Sequence, residues 1–306
     1  MDIQFSEDLL VKLYCEVDDL YHEYWSYVES QGGSKPVPTR SPQLNPSEIC
    51  TILAVYHLSG YKCFEYYYRQ VIKGSHGHWF PDAPCYERFL AHVGRAVDML
   101  HLWAVFNAGK AERTGMYFID SKKLQVCHIK REHSHKVFQG WASKGKSSTG
   151  WFFGLKIHLV INNLGEPVTF LLTPGNVADN NKGVLNYLLG GLKGTCTGDK
   201  GYMTTLFADF YENGLEILKK PKKKMRSLPV DNLKNKLINM RPVIESVFDI
   251  MASVCDIEHS RHRNPINGLS HILSSLIAYQ YMPKKPSVLF PSLNEKCREK
   301  LLSMAA

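Results

Sequence analysis

The sequence predicts an α/β protein in two parts, an all-α N-terminal domain followed by a mixed five-stranded sheet flanked by helices. Three observations carry this. Apolar residues recur at helical spacing through the first third of the chain, and from Tyr117 the texture changes to short β-type runs. Those runs alternate with helical patterns in the order β-β-β-α-β-α-β-α, which a mixed sheet with helices on its faces accommodates. A chain of 306 residues has room for two domains, and the expected division is 1–110, 111–283 and a C-terminal tail, 284–306.

Ser6, followed by Glu7 and Asp8, reads as a helix start. Leu10, Leu13, Val17, Leu20, Tyr24 and Val28 then recur at helical spacing until Gly32-Gly33. A polar connector holding Pro36, Pro38 and Pro42 leads to Asn45-Pro46-Ser47-Glu48, a cap, a proline at the first helical position and a capping-box glutamate. That second helix breaks near Ser59-Gly60, and a helical pattern resumes over Tyr61–Ile72, the outline of a helix-turn-helix or of a plain helical dimerisation domain. Tyr86–Ala108 predicts a further helix.

Met116–Asp120 is an apolar strand that stops on a carboxylate, and Leu124–Ile129 continues it or pairs with it. Trp151–Ile161 and Pro167–Leu172 flank the turn Asn162-Asn163-Leu164-Gly165 as a hairpin. A helix over Asn180–Leu192, a short strand into Asp199, a helix over Thr204–Asn213 and a strand over Leu215–Leu218 follow. The run Lys219–Arg226, with six basic residues in eight, precedes a helix bearing Glu245. The last helix, Gly268–Tyr281, reads as core against the sheet.

Composition bounds the function classes. Hydrophobic residues at 44% and charged residues at 22% describe a globular protein, and no stretch has the roughly 18 uncharged apolar residues a membrane span needs. Acids within Met1–Glu7 do not suit a signal peptide, so a cytoplasmic location is expected. Eight scattered cysteines without a C-x-x-C pair indicate neither a disulfide framework nor a zinc knuckle. His128, His133 and His135 lack a second pair at ligand spacing and read as a polar loop.

The net charge of +8 is unevenly spread. Residues 1–110 carry 9 Lys and Arg against 13 Asp and Glu, net −4, and the remainder carries 28 against 16, net +12. Such a surplus on one part of the chain points to a polyanion, nucleic acid held through its phosphates. Three acids stand out in the basic part: Asp120, Asp199 in Thr-Gly-Asp-Lys-Gly-Tyr, and Glu245 in Arg-Pro-Val-Ile-Glu. Carboxylates are the usual protein ligands of Mg²⁺, and three can hold two ions if their elements are neighbours. Asp179 is a rival second acid whose setting before Asn180-Asn181 reads better as a helix cap. The run after Lys219 lies between the second and third acids, a position suited to a DNA-backbone track.

This trio, with the phrases Phe-Ile-Asp-Ser, Gly-Trp-Phe-Phe-Gly-Leu-Lys-Ile-His-Leu, Leu-Thr-Pro-Gly-Asn-Val-Ala-Asp and Gly-Asp-Lys-Gly-Tyr, resembles the DDE transposases of bacterial insertion sequences over Arg113–Tyr281. The resemblance implies a ribonuclease-H-like core of the retroviral-integrase superfamily that cuts and joins DNA with divalent metal, Mg²⁺ or Mn²⁺ in its place. Asp120, Asp199 and Glu245 match the family's catalytic, metal-holding acids. Arg241, Lys200, Lys219, Lys220, Lys222, Lys223, Lys224 and Arg226 are then expected on double-stranded DNA, both element ends and target. A homodimer or larger assembly on the bacterial nucleoid is expected, since two ends must be held. A nuclease of the same fold that cuts without joining, or a DNA-binding descendant without catalysis, would share these features. The family's Tyr-x₂-Arg-x₃-Glu-x₆-Lys signature is half present: Arg241 and Glu245 are in place, and Ile238 and Ala252 occupy the other two positions. With 45 residues between Asp199 and Glu245 there is no room for a large β insertion.

Overall fold

A computed structural model of the chain describes residues 6–36, 42–202, 206–219, 232–259 and 261–288. It divides into two compact units. One comprises the chain to Phe106 together with Met251–Tyr281, and the other comprises Asn107–Ile250 and the chain from Met282.

In the first unit the predicted caps form. Ser6 accepts the Leu9 N–H at the start of α1 (Glu7–Ser30), which buries Leu10, Leu13, Val17 and Leu20. Asn45 and Glu48 make a reciprocal capping box on α2 (Pro46–Leu58). α2 is apolar on every side and is buried from Ser47 to Leu58, which makes it the centre of this unit. After Gly60 the chain forms α3 (Phe64–Tyr67) and then a π-helix, Tyr68–Ser75, in place of one regular helix. Tyr67 at the end of α3 and Tyr68, Val71 and Ile72 of the wider turn are buried, and the Tyr67 and Tyr68 hydroxyls donate to the carbonyls of Ile52 and Pro84. Of the three consecutive tyrosines only Tyr66 is exposed.

The predicted Tyr86–Ala108 helix is α4 (Tyr86–His92), a 3₁₀ turn and α5 (Val97–Lys110). The last helix among the described residues, Pro265–Gln280, packs against α2, whereas the sequence placed it against the sheet. Tyr281, at its end, joins α5 and α1 by accepting from Trp103 Nε1 at 3.0 Å and donating to Glu16 at 2.5 Å.

Among the described residues the second unit has six strands, one more than the sequence predicts: β1 (Met116–Cys127), β2 (Ser143–Ser147), β3 (Gly150–Asn162), β4 (Pro167–Pro174), β5 (Gly194–Gly198) and β6 (Leu215–Leu218). β2 is Ser-Lys-Gly-Lys-Ser, with no apolar alternation to announce it. β3 runs antiparallel to β1, and its outer edge is shared by β2 along Gly150–Gly154 and β4 along Leu155–Ile161. β5 lies parallel to β1, and β6 parallel to β5. The order β4-β3-β1-β5-β6, with the last two parallel to the first, is compatible with a ribonuclease-H-like sheet.

Alternation along β1 assigns its two faces. Tyr117 and Ile119 pack with Val184, Leu185, Leu188 and Leu189 of α6 (Lys182–Leu189), whereas Met116 packs with Leu237 and Ile238 of a helix on the other side. α7 (Phe207–Glu212) contributes Phe210 to the α6 side. The single helix expected around Glu245 is two, α8 (Asn232–Met240) and α9 (Pro242–Ser253). Pro242 supplies no N–H to continue α8 and has the fixed φ that suits a first helical turn, so the chain breaks at Arg241. The helix over Pro265–Gln280 is thereby α10.

Candidate active site

Sheet register brings two of the three predicted acids together. Parallel pairing of β1 with β5 ends at Ile119 opposite Gly198, so the next residue on each strand is Asp120 and Asp199 respectively. β1 does not stop at Asp120, as the sequence suggested, but runs on to Cys127. Asp120 therefore sits at the point where β5 leaves the edge of β1. Asp199 is exposed, and its carbonyl accepts the Tyr202 N–H at 3.0 Å in the turn that follows.

The third acid is joined to the first through a guanidinium. Arg241, in the break between α8 and α9, donates from Nη2 to Asp120 Oδ2 at 2.6 Å and from Nη1 to Glu245 Oε1 at 2.7 Å. Glu245 lies in the first turn of α9, where a negative charge suits the helix dipole. The Asp120 Oδ1 accepts the Ser121 N–H at 2.9 Å. Burial pushes the Asp120 carboxyl up to about 6, against the pull of the Arg241 guanidinium and the Ser121 N–H, while Asp199 and Asp179 add to the upward shift. The Asp120 side chain is 19% exposed, and the Arg241 guanidinium is the cation that balances it.

Carboxylate oxygens are what a hard divalent cation binds, so the donor set on β1, after β5 and on α9 fits such an ion in chemistry. Its present arrangement is different. Among the described residues no three His, Cys, Asp or Glu side chains are gathered closely enough to hold a metal, and the Arg241 guanidinium stands between Asp120 and Glu245. Of the four carboxylate oxygens of Asp120 and Glu245, the guanidinium holds Asp120 Oδ2 and Glu245 Oε1.

A second polar layer adjoins the site. Ser121, next to Asp120 but on the opposite face of β1, donates from Oγ to Asp179 Oδ1 at 2.8 Å. Lys156 of β3 donates to the same oxygen at 3.1 Å and to the Val177 carbonyl at 2.9 Å. His158, opposite Ser121 in the β1–β3 register, shares a 2.9 Å hydrogen bond with Thr173 and lies 3.8 Å from Asp179 Oδ1. Burial drives the His158 imidazole down to about 4 despite the pull of Asp179, so the ring is neutral at pH 7. Tyr202 is buried beside them with its hydroxyl directed at Ser121, short of a hydrogen bond of full geometry. Asp179 does not cap α6, contrary to the sequence reading. Asn181 does, accepting from the N–H groups of Gly183 and Val184.

The expected DNA-contacting residues are placed in part. Arg241 is in the site itself, and Lys219 follows β6 with Nζ 4.3 Å from the Phe207 ring centroid. Lys200 lies in the 3₁₀ turn after Asp199. The Lys200 side chain and Lys220, Lys222, Lys223, Lys224 and Arg226 lie outside the described residues. Sequence reasoning did not single out Lys156 and His158. A lysine and a histidine with no exposed alternation around them, inside Phe-Phe-Gly-Leu-Lys-Ile-His-Leu, were the available signal.

The profile of the family described as Transposase DDE domain matches residues 110–265. None of the curated proteins matches the chain. The matched region opens at the end of α5, contains every strand of the sheet and includes Asp120, Asp199, Arg241 and Glu245. With more than half of the 306 residues covered, the chain belongs to the DDE transposase family.

Proposed function

We propose that this protein is a DNA transposase of the bacterial insertion-sequence type, acting through a ribonuclease-H-like domain in which Asp120, Asp199 and Glu245 hold Mg²⁺ or, in its place, Mn²⁺. The observation that carries the reading is the convergence of the acids: adjacent parallel strands deliver Asp120 and Asp199, and one guanidinium bridges Asp120 to Glu245. Bound divalent ions supply polarisation of the attacking oxygen and stabilisation of the leaving oxygen in an in-line phosphoryl displacement.

The chain's own residues do the rest. Arg241 keeps Asp120 charged while the site awaits substrate, and a DNA phosphate is the anion for which its guanidinium is suited to leave the carboxylates. Water is the nucleophile for cleavage and the freed 3′-hydroxyl the nucleophile for joining, so the protein needs no covalent intermediate. Lys200, Lys219, Lys220, Lys222, Lys223, Lys224 and Arg226 supply a track for the phosphate backbone next to the acids. The N-terminal helices, residues 1–110, contribute to end binding or multimerisation. A homodimer or larger assembly holds two ends in the cytoplasm, where the nucleoid is the target.

The test is a labelled duplex carrying the sequences that flank the coding region, incubated with wild type or Asp199→Asn, in Mg²⁺ and in EDTA. The reading expects metal-dependent nicking and joining by the wild type. It expects a loss of more than about 10³-fold in the variant, the scale of removing one member of a cooperating catalytic set, with DNA binding kept. Nicking without joined product favours the nuclease. Equal activity in both proteins removes Asp199 from the site, and binding by both without cleavage favours a non-catalytic DNA-binding protein.

A further inference from the structure

We propose that Asp179, anchored by Lys156, is a positioning residue of the carboxylate site: from the opposite face of the sheet it ties the strand carrying Asp120 to the turn carrying Asp199. The inference rests on the metal-site reading of those acids and adds residues to it that the family's three acids do not include.

The first tie is to β1. Asp179 Oδ1 accepts from Ser121 Oγ at 2.8 Å, and Ser121 is the residue whose N–H also holds Asp120 Oδ1. Side chains alternate across a strand, so Ser121 and Asp179 lie on the α6 face while Asp120 points to the Arg241 side. Asp179 is therefore placed to brace Asp120 through the backbone, not to stand beside it as a further ligand. The second tie is to the Asp199 turn. A Cβ added at Gly201 would lie 3.7 Å from Asp179 Oδ2, so the turn after Asp199 passes close to the second carboxylate oxygen at a glycine. The side chain of Tyr202 closes the same pocket next to Ser121.

Lys156 gives this arrangement its rigidity. Its side chain is 10% exposed, on a central strand, and its ammonium is spent on Asp179 Oδ1 and the Val177 carbonyl. An ammonium so far from water is tolerated only when paired and hydrogen-bonded, and truncating either partner leaves the other charge uncompensated. His158, fully buried and hydrogen-bonded to Thr173, walls the carboxylate on its remaining side. One side chain thus receives a hydroxyl from β1, an ammonium from β3 and the packing of the turn after β5. These are the three segments whose relative positions set the Asp120–Asp199 separation.

Groups that orient metal ligands from outside the coordination shell change metal affinity by about 10–100-fold when removed. The experiment is Mn²⁺ binding to the full chain, followed by the electron paramagnetic resonance of free Mn²⁺, for wild type, Asp120→Asn, Asp179→Asn, Lys156→Arg and Ser121→Ala, each checked for fold by circular dichroism. Asp179→Asn is expected to weaken Mn²⁺ binding about 10–100-fold, and excess Mn²⁺ is expected to restore DNA cleavage. Lys156→Arg, which keeps the cation, recovers most of the affinity. Ser121→Ala deletes one hydrogen bond and weakens binding about 5-fold, so the proposal remains testable if Asp179→Asn fails to fold. Wild-type affinity in folded Asp179→Asn, or in Ser121→Ala, overturns the proposal. So does a loss that excess Mn²⁺ cannot restore, as expected of Asp120→Asn, because that would make Asp179 a direct ligand. Absence of Mn²⁺ binding by the wild type overturns the metal-site reading itself, and this inference with it.

Discussion

Arg241 is the residue that links the acids of the candidate site. It is bonded at once to Asp120 and Glu245, and its Nε is buried without a partner, so the guanidinium is fixed by carboxylates that the proposed ions would claim. If it moves to a DNA phosphate when those ions bind, Arg241→Gln removes one phosphate contact. The slope of log affinity against log salt for end DNA then falls by about 0.9, measured by fluorescence anisotropy in Mg²⁺ across a salt series. An unchanged slope would place Arg241 on the protein side throughout. Asp120 and Asp199 drew attention in the sequence because each follows a short apolar or small-residue run, and Glu245 because it stands four residues after Arg241 on a helical pattern; their joint role is the proposal above. Lys156 and Asp179 were not legible, since their meaning lies in a contact across 23 positions that no local periodicity encodes.

Among the elements, β3 is the one that the sheet cannot do without, because it pairs with β1, β2 and β4. Gly154 lies where β3 passes between β1 and β2, and a Cβ there would run into the Leu124 carbonyl of β1. Gly154→Ala is expected to destabilise by roughly 1–3 kcal/mol, the cost of forcing extra volume into a packed backbone contact, seen as a lower urea midpoint. An unaltered midpoint would mean that the strands are less closely paired there. At α2, Asn45→Ala removes one half of a capping box and is expected to cost about 1 kcal/mol in the same measurement. The caps of α1 and α2 and most of the strands were legible because they follow from residue type at short range. β2 was not, having no apolar alternation, and neither was the division of α8 from α9, although Pro242 marks it. The direction in which α10 packs was also hidden, because its apolar face fits a sheet as well as it fits α2.

At the scale of the whole molecule, acid bears on the helical unit through three buried histidines. His57 of α2 and His271 of α10 have ring centroids 4.7 Å apart, and His262 is 4.9 Å from His271. His57 shares a 3.0 Å hydrogen bond with Ser274, and His271 donates to the Asp256 carbonyl at 2.7 Å. Burial holds His57 down at about 3 and His262 at about 4, and it pushes His271 well below the usual range. For His57 the Cys255 backbone opposes this, and His259, His262 and Lys62 reinforce it. A depressed histidine stabilises the fold above its unfolded value of 6.5 and loses that stability as pH falls toward the folded value. Each such group thus costs up to about 2 kcal/mol at pH 5. Asp120, held up at about 6, acts in the opposite direction and offsets roughly 1 kcal/mol over the same range. The urea midpoint is therefore expected to fall between pH 7.5 and 5, and to fall less in His57→Gln; a midpoint independent of pH would contradict the buried, neutral cluster.

Fe²⁺ tests directly whether Asp120, Asp199 and Glu245 form one divalent-metal site. Fe²⁺ bound in place of Mg²⁺, with ascorbate and peroxide, cuts the polypeptide close to its ligands, and mass spectrometry reads the break points. Cuts are expected next to residues 120, 199 and 245, suppressed by excess Mg²⁺ and lost in Asp199→Asn. Cuts elsewhere, or the same three cuts persisting in Asp199→Asn, rule that site out.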